Sequence, residues 1–152
     1  MERVMNDQPR SAGDPGQPLL LWEVQQTARL VARRFDEAMR SAGISTSEFG
    51  VLACVNDEPG ITQAGIARQL EIRPQALTST IDKLRRRGYI PGDSQGRGRR
   101  SDLTLTDAGR TALDTAWPFV IALNDPEKLG MSPGETEAMC RRLVYVRQRL
   151  YK

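Results

Sequence analysis

From Leu20 onward, apolar side chains recur every three or four positions. Leu20, Val24, Ala28, Val31, Phe35 and Met39 fall on one stripe of a long amphipathic helix that Gly43 ends. Ser45-Thr46-Ser47-Glu48 has the spacing of a capping box, and Ile44 and Phe49 flank it as a hydrophobic staple, which predicts a second helix starting at Ser45. Asp57-Glu58-Pro59-Gly60 stops it. Thr62 can cap a short third helix over 63–70, with Ile61 and Ile66 as another staple pair. Pro74 then stands where a first helical residue tolerates proline. Leu77, Ile81 and Leu84 supply a single buried stripe for a fourth helix, down to Arg87-Gly88.

Two short helices joined by about three residues, the second apolar on one side and polar on the other, form the pattern of a helix-turn-helix. Gln75, Ala76, Thr78, Ser79 and Asp82 lie on the polar side. After Gly88 come Tyr89-Ile90-Pro91, a tip rich in glycine and arginine from Gly92 to Ser101, and Leu103-Thr104-Leu105. Two short extended runs around such a tip predict a β-hairpin, with Pro91 confining its strand to an edge. A hairpin directly after the second helix of a helix-turn-helix is the wing of a winged helix. Thr106 caps a fifth helix carrying Ala108, Ala112, Leu113, Ala116, Trp117, Val120 and Leu123, which Pro118 should bend. Ser132-Pro133-Gly134-Glu135 opens a sixth helix, with Met139, Leu143, Val146 and Leu150 on its apolar side. The fold class is mainly α with a small β-hairpin wing. Residues 1–18, with three prolines and two glycines, form a loose tail, and 19–151 make a single domain.

Charge changes this picture more than composition does. At 152 residues the chain suits one compact unit, and its apolar and charged fractions are ordinary. Net charge is only +3, but Arg68 to Arg100 holds nine bases against three acids, a net +6 that leaves −3 for the remainder. Clustered guanidinium groups beside a mildly acidic remainder suit a surface that faces phosphates; a solvated charged face is the bland alternative. Histidine is absent, which removes imidazole-based triads, His-ligated zinc or haem, and histidine switches. The two cysteines, Cys54 and Cys140, form neither a disulfide framework nor a metal cage. The glycines at 92, 96 and 98 are not a nucleotide loop, because no Lys-Ser/Thr follows them. No enzyme activity and no cofactor are expected. Neither a secretion signal nor a membrane span is read in the chain, so a cytoplasmic location is expected.

The order of elements, together with Ala76-Leu77-Thr78, Leu84, Gly88-Tyr89-Ile90, and Arg99 followed after five residues by Leu105-Thr106 with Gly109, resembles the MarR family of bacterial transcriptional regulators over about 19–151. Arg97 stands where the family pattern has an aspartate that helps brace the wing, and Arg73 replaces a small polar cap before the fourth helix. The resemblance implies a winged helix-turn-helix at about 45–106, flanked by dimerisation helices at about 19–42 and 107–151, in an obligate homodimer. The apolar faces around Trp117, Leu143 and Leu150 point the same way, having little domestic core to cover them. A twofold pair places two recognition helices about one DNA turn apart, which implies a pseudo-palindromic operator in double-stranded DNA.

Base reading is assigned to Gln75, Ala76, Thr78 and Ser79, because an amide can pair with adenine edges, hydroxyls suit several bases and a methyl can meet thymine. Arg97, Arg99 and Arg100 are assigned to the wing, reaching phosphates or the minor groove. Thr62, Gln63 and Arg73 are backbone-positioning candidates. Arg85, Arg86 and Arg87 divide between phosphate contact and a capping role at the helix's negative end, with Arg86 carried as the DNA candidate. Some family members close a pocket around aromatic or amphipathic effectors. Phe35, Phe49, Trp117 and Phe119 could line one here, with Arg33 or Arg34 holding an anion, against the plainer reading of aromatics as core. The expected function is a sequence-specific DNA-binding regulator, a repressor released by a small molecule. The alternatives are a winged-helix module that docks a protein without DNA, and a thiol-based redox sensor using Cys54 or Cys140.

Overall fold

A computed structural model describes residues 18–92 and 103–151. The elements are α1 (Leu20–Ser41), α2 (Thr46–Asp57), α3 (Gln63–Leu70), α4 (Pro74–Arg86), α5 (Asp107–Leu123) and α6 (Pro133–Leu150). The chain divides into two units, one ending at Arg33 and one beginning at Arg34. Within the first, Leu19 to Trp22, Leu30 and Val31 are exposed.

In the second unit α2 is the hub: it packs against α3, α4 and α5, and α3 packs on α4. Its own composition explains this, since Val51, Leu52, Cys54 and Val55 are buried around it rather than along one stripe. Met39 from the end of α1, Ile66, Leu77, Ile81, Leu84, Ile90, Leu103, Leu113 and Ala116 complete the core. Each large aliphatic side chain buried there stabilises by roughly 1.5–3 kcal/mol.

Helix boundaries follow local hydrogen-bond chemistry. The side chains of Ser45, Thr62, Thr106 and Ser132 accept from the amides of Glu48, Gly65, Gly109 and Glu135, and both serine caps are closed into boxes by Glu48 and Glu135. Arg73 precedes α4 without a side-chain cap bond, and Pro74 needs none at its own nitrogen. The turn between α3 and α4 is made by Glu71 at φ 56°, a left-handed conformation that few non-glycine residues adopt.

The described end of the expected wing begins differently from a simple two-arm ladder. Leu103 pairs antiparallel with Ile61: the Gly60 amide donates to the Leu103 carbonyl at 2.9 Å and the Leu103 amide to the Ile61 carbonyl at 3.1 Å. The two arms meet one step further on, where the Thr106 amide donates to the Tyr89 carbonyl at 3.1 Å and the Thr106 hydroxyl to the Gly88 carbonyl at 2.6 Å. The expected tip, with Arg97, Arg99 and Arg100, lies outside the described residues.

Gly109 makes that closure possible. A Cβ at this position would lie 2.1 Å from the Tyr89 carbonyl oxygen, a backbone atom that cannot swing aside. Gly109→Ala should therefore destabilise the chain by about 1–3 kcal/mol or more through forced displacement of the 88–90 segment. Gly92→Ala, whose Cβ would meet nothing within 4 Å, is the control. Urea unfolding midpoints compare the two; equal midpoints would show that the close approach carries no weight.

Candidate nucleic-acid interface

The pitch of α4 decides what it offers to solvent. Leu77, Thr80, Ile81 and Leu84 face the core, and the buried Thr80 hydroxyl is satisfied by donating to the Ala76 carbonyl at 3.2 Å. The intervening positions are outside: Gln75, Ala76, Thr78 and Ser79 are all exposed, as are Arg73 and Arg86. The Thr78 hydroxyl turns back to donate to the Pro74 carbonyl at 3.1 Å, which leaves its methyl and its oxygen lone pairs outward. Thr62 and Gln63 are half-buried at the start of α3. The Thr62 oxygen accepts the cap hydrogen bond from Gly65, which leaves its proton and a second lone pair for another partner.

The three consecutive arginines at the end of α4 have three different situations. Arg86 is exposed. Arg85 is partly buried, 3.8 Å from Asp82 one turn back. Arg87 turns inward: one of its terminal nitrogens lies 3.2 Å from both Glu48 carboxylate oxygens, the other donates to the Gly43 carbonyl at 2.7 Å and to the Tyr89 hydroxyl at 2.9 Å, and its guanidinium lies 4.6 Å from the centre of the Tyr89 ring. Sequence reasoning placed Glu48 only in its capping box and left Arg87 between cap and phosphate contact. Nothing in the local spacing signals a partner 39 positions away.

Glu48 is buried, and burial pushes its carboxyl up. The Ser45 amide and hydroxyl, together with the hydrogen bonds and charge of Arg87, outweigh that effect and hold the carboxyl below its ordinary value. Glu71 was also missed as a contact residue. Arg147 approaches its carboxylate at 3.8 Å, and the Tyr151 hydroxyl donates to it, which pushes the phenol up. The end of α6 thereby reaches the turn of the helix-turn-helix.

Among the proposed effector-site residues, Phe49 and Trp117 meet edge to face, ring centroids 5.4 Å apart. Phe49 and Phe119 are half-buried against the core. Phe35 is half-buried in the same unit, Arg34 pairs with Glu37 at 3.4 Å, and Arg33 is exposed in the unit that ends with it. Cys54 is buried, and burial with the nearby Asp57 and Glu58 charges pushes its thiol up, away from the thiolate a redox sensor needs. Cys140 is exposed on α6. Among the described residues no cluster of His, Cys, Asp and Glu could hold a metal, and no helix is long and apolar enough to cross a membrane.

Comparison with known proteins agrees with this geometry. The sequence model of the MarR family matches residues 42–100. The HTH-type transcriptional repressor Rv2887 of Mycobacterium tuberculosis is 32% identical over 86 residues, 56% of this chain and 62% of that protein. The chain thus spans about three-fifths of the length of that relative, and 48% of another, the repressor MdtR of Bacillus subtilis. In three dimensions, Rv2887 solved in complex with DNA superposes with a TM-score of 0.68 at 22% identity, covering 86% of this chain and 98% of that one. The repressor CouR bound to p-coumaroyl-CoA superposes with a TM-score of 0.71 at 24% identity, covering 86% and 92%.

The buried carboxylate gives a pH test. Because the Glu48 carboxyl is lowered in the folded chain, its contribution is complete above the unfolded value of about 4.3 and is lost as pH falls through the lower folded value. Glu48→Gln should cost about 1–2 kcal/mol at neutral pH, discounted because Arg87 is partly exposed. It should also lose less stability than the parent on acidification. Chemical denaturation across the acid range measures both; parallel pH profiles would contradict the assignment.

Proposed function

We propose, from the match of residues 42–100 to the MarR family model, that this chain is a sequence-specific double-stranded DNA-binding transcriptional regulator, a repressor released by a small-molecule effector. The observation that carries the proposal is the sidedness of α4. Its apolar stripe is spent on the core, while Gln75, Ala76, Thr78 and Ser79 stand together in solvent on its first turns. Short polar and methyl-bearing side chains on the N-terminal turns of such a helix suit base edges in the major groove. Arg73 and Arg86 stand outward near its two ends and, with Gln63 and the Thr62 proton, supply phosphate contacts that set register.

The organisation we propose is a winged helix-turn-helix at about 45–106 between dimerisation helices. The junction of Tyr89 with Thr106 would tie the root of such a wing, and Arg97, Arg99 and Arg100, outside the described residues, are proposed as its contacts to phosphate or the minor groove. Support for a homodimer comes from α6, which buries none of its residues although Met139, Leu143 and Leu150 are 52%, 41% and 66% exposed. An apolar stripe on a helix that the described residues leave uncovered suits a twofold partner. The effector we propose is a small aromatic or amphipathic compound, of the kind CouR binds, near Phe49 and Trp117. Cytoplasmic residence follows from a DNA partner.

Two measurements test the proposal. Replacing Arg99 and Arg100 together by alanine should weaken binding to all duplexes and lower the log–log salt slope by about 0.9 per lost phosphate contact; an unchanged slope would mean that the wing is idle. Gln75→Ala should relax discrimination at one operator position by about 1–3 kcal/mol while leaving affinity for random duplex unchanged. A mobility shift against the chain's own upstream region, with unrelated competitor DNA, separates this reading from a protein-docking winged helix. Retention no stronger than for competitor would favour the latter.

A further inference from the structure

We propose that Glu48 and Arg87 act as a positioning pair that pins the C-terminal end of α4 to the corner between α1 and α2, and so fixes the angle at which α4 presents its outward face. The inference rests on the DNA-binding reading for its purpose, and on the geometry for its existence.

Apolar packing alone holds a helix loosely against rotation. The stripe of Leu77, Ile81 and Leu84 is buried, and the area it removes from water carries no direction of its own. The N-terminal end of α4 adds little constraint of its own, since Arg73 makes no side-chain cap bond there. The C-terminal end is different. The planar guanidinium of Arg87 has donors in fixed directions, and they meet acceptors from three places: the buried Glu48 carboxylate of α2, the Gly43 carbonyl between α1 and α2, and the Tyr89 hydroxyl beyond α4. The Glu48 carboxylate is itself oriented, because one of its oxygens accepts from the Ser45 amide at 2.7 Å. The pin therefore runs from a helix cap, through a charge pair, to the last turn of α4. It ends beside Tyr89, whose carbonyl holds Thr106 at the root of the 89–106 connection. A lysine at 87 would carry the charge as a compact point, without the fixed directions of the planar fork.

The test uses the full chain with Glu48→Gln and Arg87→Met, each measured by amide hydrogen exchange of the free protein and by binding to a preferred and a random duplex over a salt series. Both variants should speed exchange at the last amides of α4 and those just beyond it, from Leu84 to Tyr89. Both should also lower the ratio of preferred to random affinity about tenfold, with the affinity for random duplex and the salt slope unchanged. If Arg87 instead served as a phosphate contact, Glu48→Gln would release it and raise affinity for all duplexes, whereas Arg87→Met would lower the slope by about 0.9; that outcome overturns the proposal. So does an unchanged affinity ratio in folded variants, which would leave the pair a stabilising contact only. Should one variant fail to fold, the other decides. Should the parent show no preference for any duplex, the DNA reading falls, and unchanged exchange in the variants would overturn the pin separately.

Discussion

The burial of one side of α4 is the constraint on which the rest of this structure depends. A helix of 13 residues with a 3.6-residue repeat has room for one apolar stripe, and here Leu77, Thr80, Ile81 and Leu84 occupy it. Everything on the other side is left to solvent by geometry, so the choice of core residues also chooses Gln75, Ala76, Thr78 and Ser79 as the outward set. The hub helix α2 makes the arrangement possible because it is apolar around most of its circumference and can receive α3, α4 and α5 together. The stripe that stabilises α4 thus decides which residues face outward, and the proposed pairing of Glu48 with Arg87 sets the angle at which they do.

Much of this was legible in the sequence, for a physical reason. Caps are local chemistry, set by a side-chain oxygen and an amide three residues on. Ser45, Thr62, Thr106 and Ser132 accordingly start their helices where the sequence places them. The same holds for Pro74 at the first position of α4 and for its apolar stripe. What escaped is long-range. The partnership of Glu48 with Arg87 joins residues far apart in sequence, and the pairing of Leu103 with Ile61 draws the 103–105 arm toward the start of α3. Neither leaves a trace in periodicity, which reports the face a residue belongs to and not its partner. The left-handed Glu71 was equally hidden, since glycine is the residue that normally advertises that conformation.

The polar groups around α4 divide into those already committed and those left outward. Arg87, Glu48 and the Thr62 oxygen are satisfied within the chain, and Arg85 lies against Asp82. Arg73, Arg86 and the four outward residues of α4 are exposed. A string of basic residues that looks uniform in the sequence therefore contains both an arginine bound within the fold and arginines left in solvent. The distinction comes from burial: a guanidinium beside a buried carboxylate serves the fold, and one in solvent can serve a ligand.

Interference mapping on the chain's preferred DNA shows where the proposed recognition helices sit, because methylation at guanine N7 marks the major groove alone. Two blocks of interference about 10 base pairs apart are expected, one for each α4 of a twofold pair. Interference spread evenly along the duplex, or confined to a single block bound by a single chain, would contradict that arrangement.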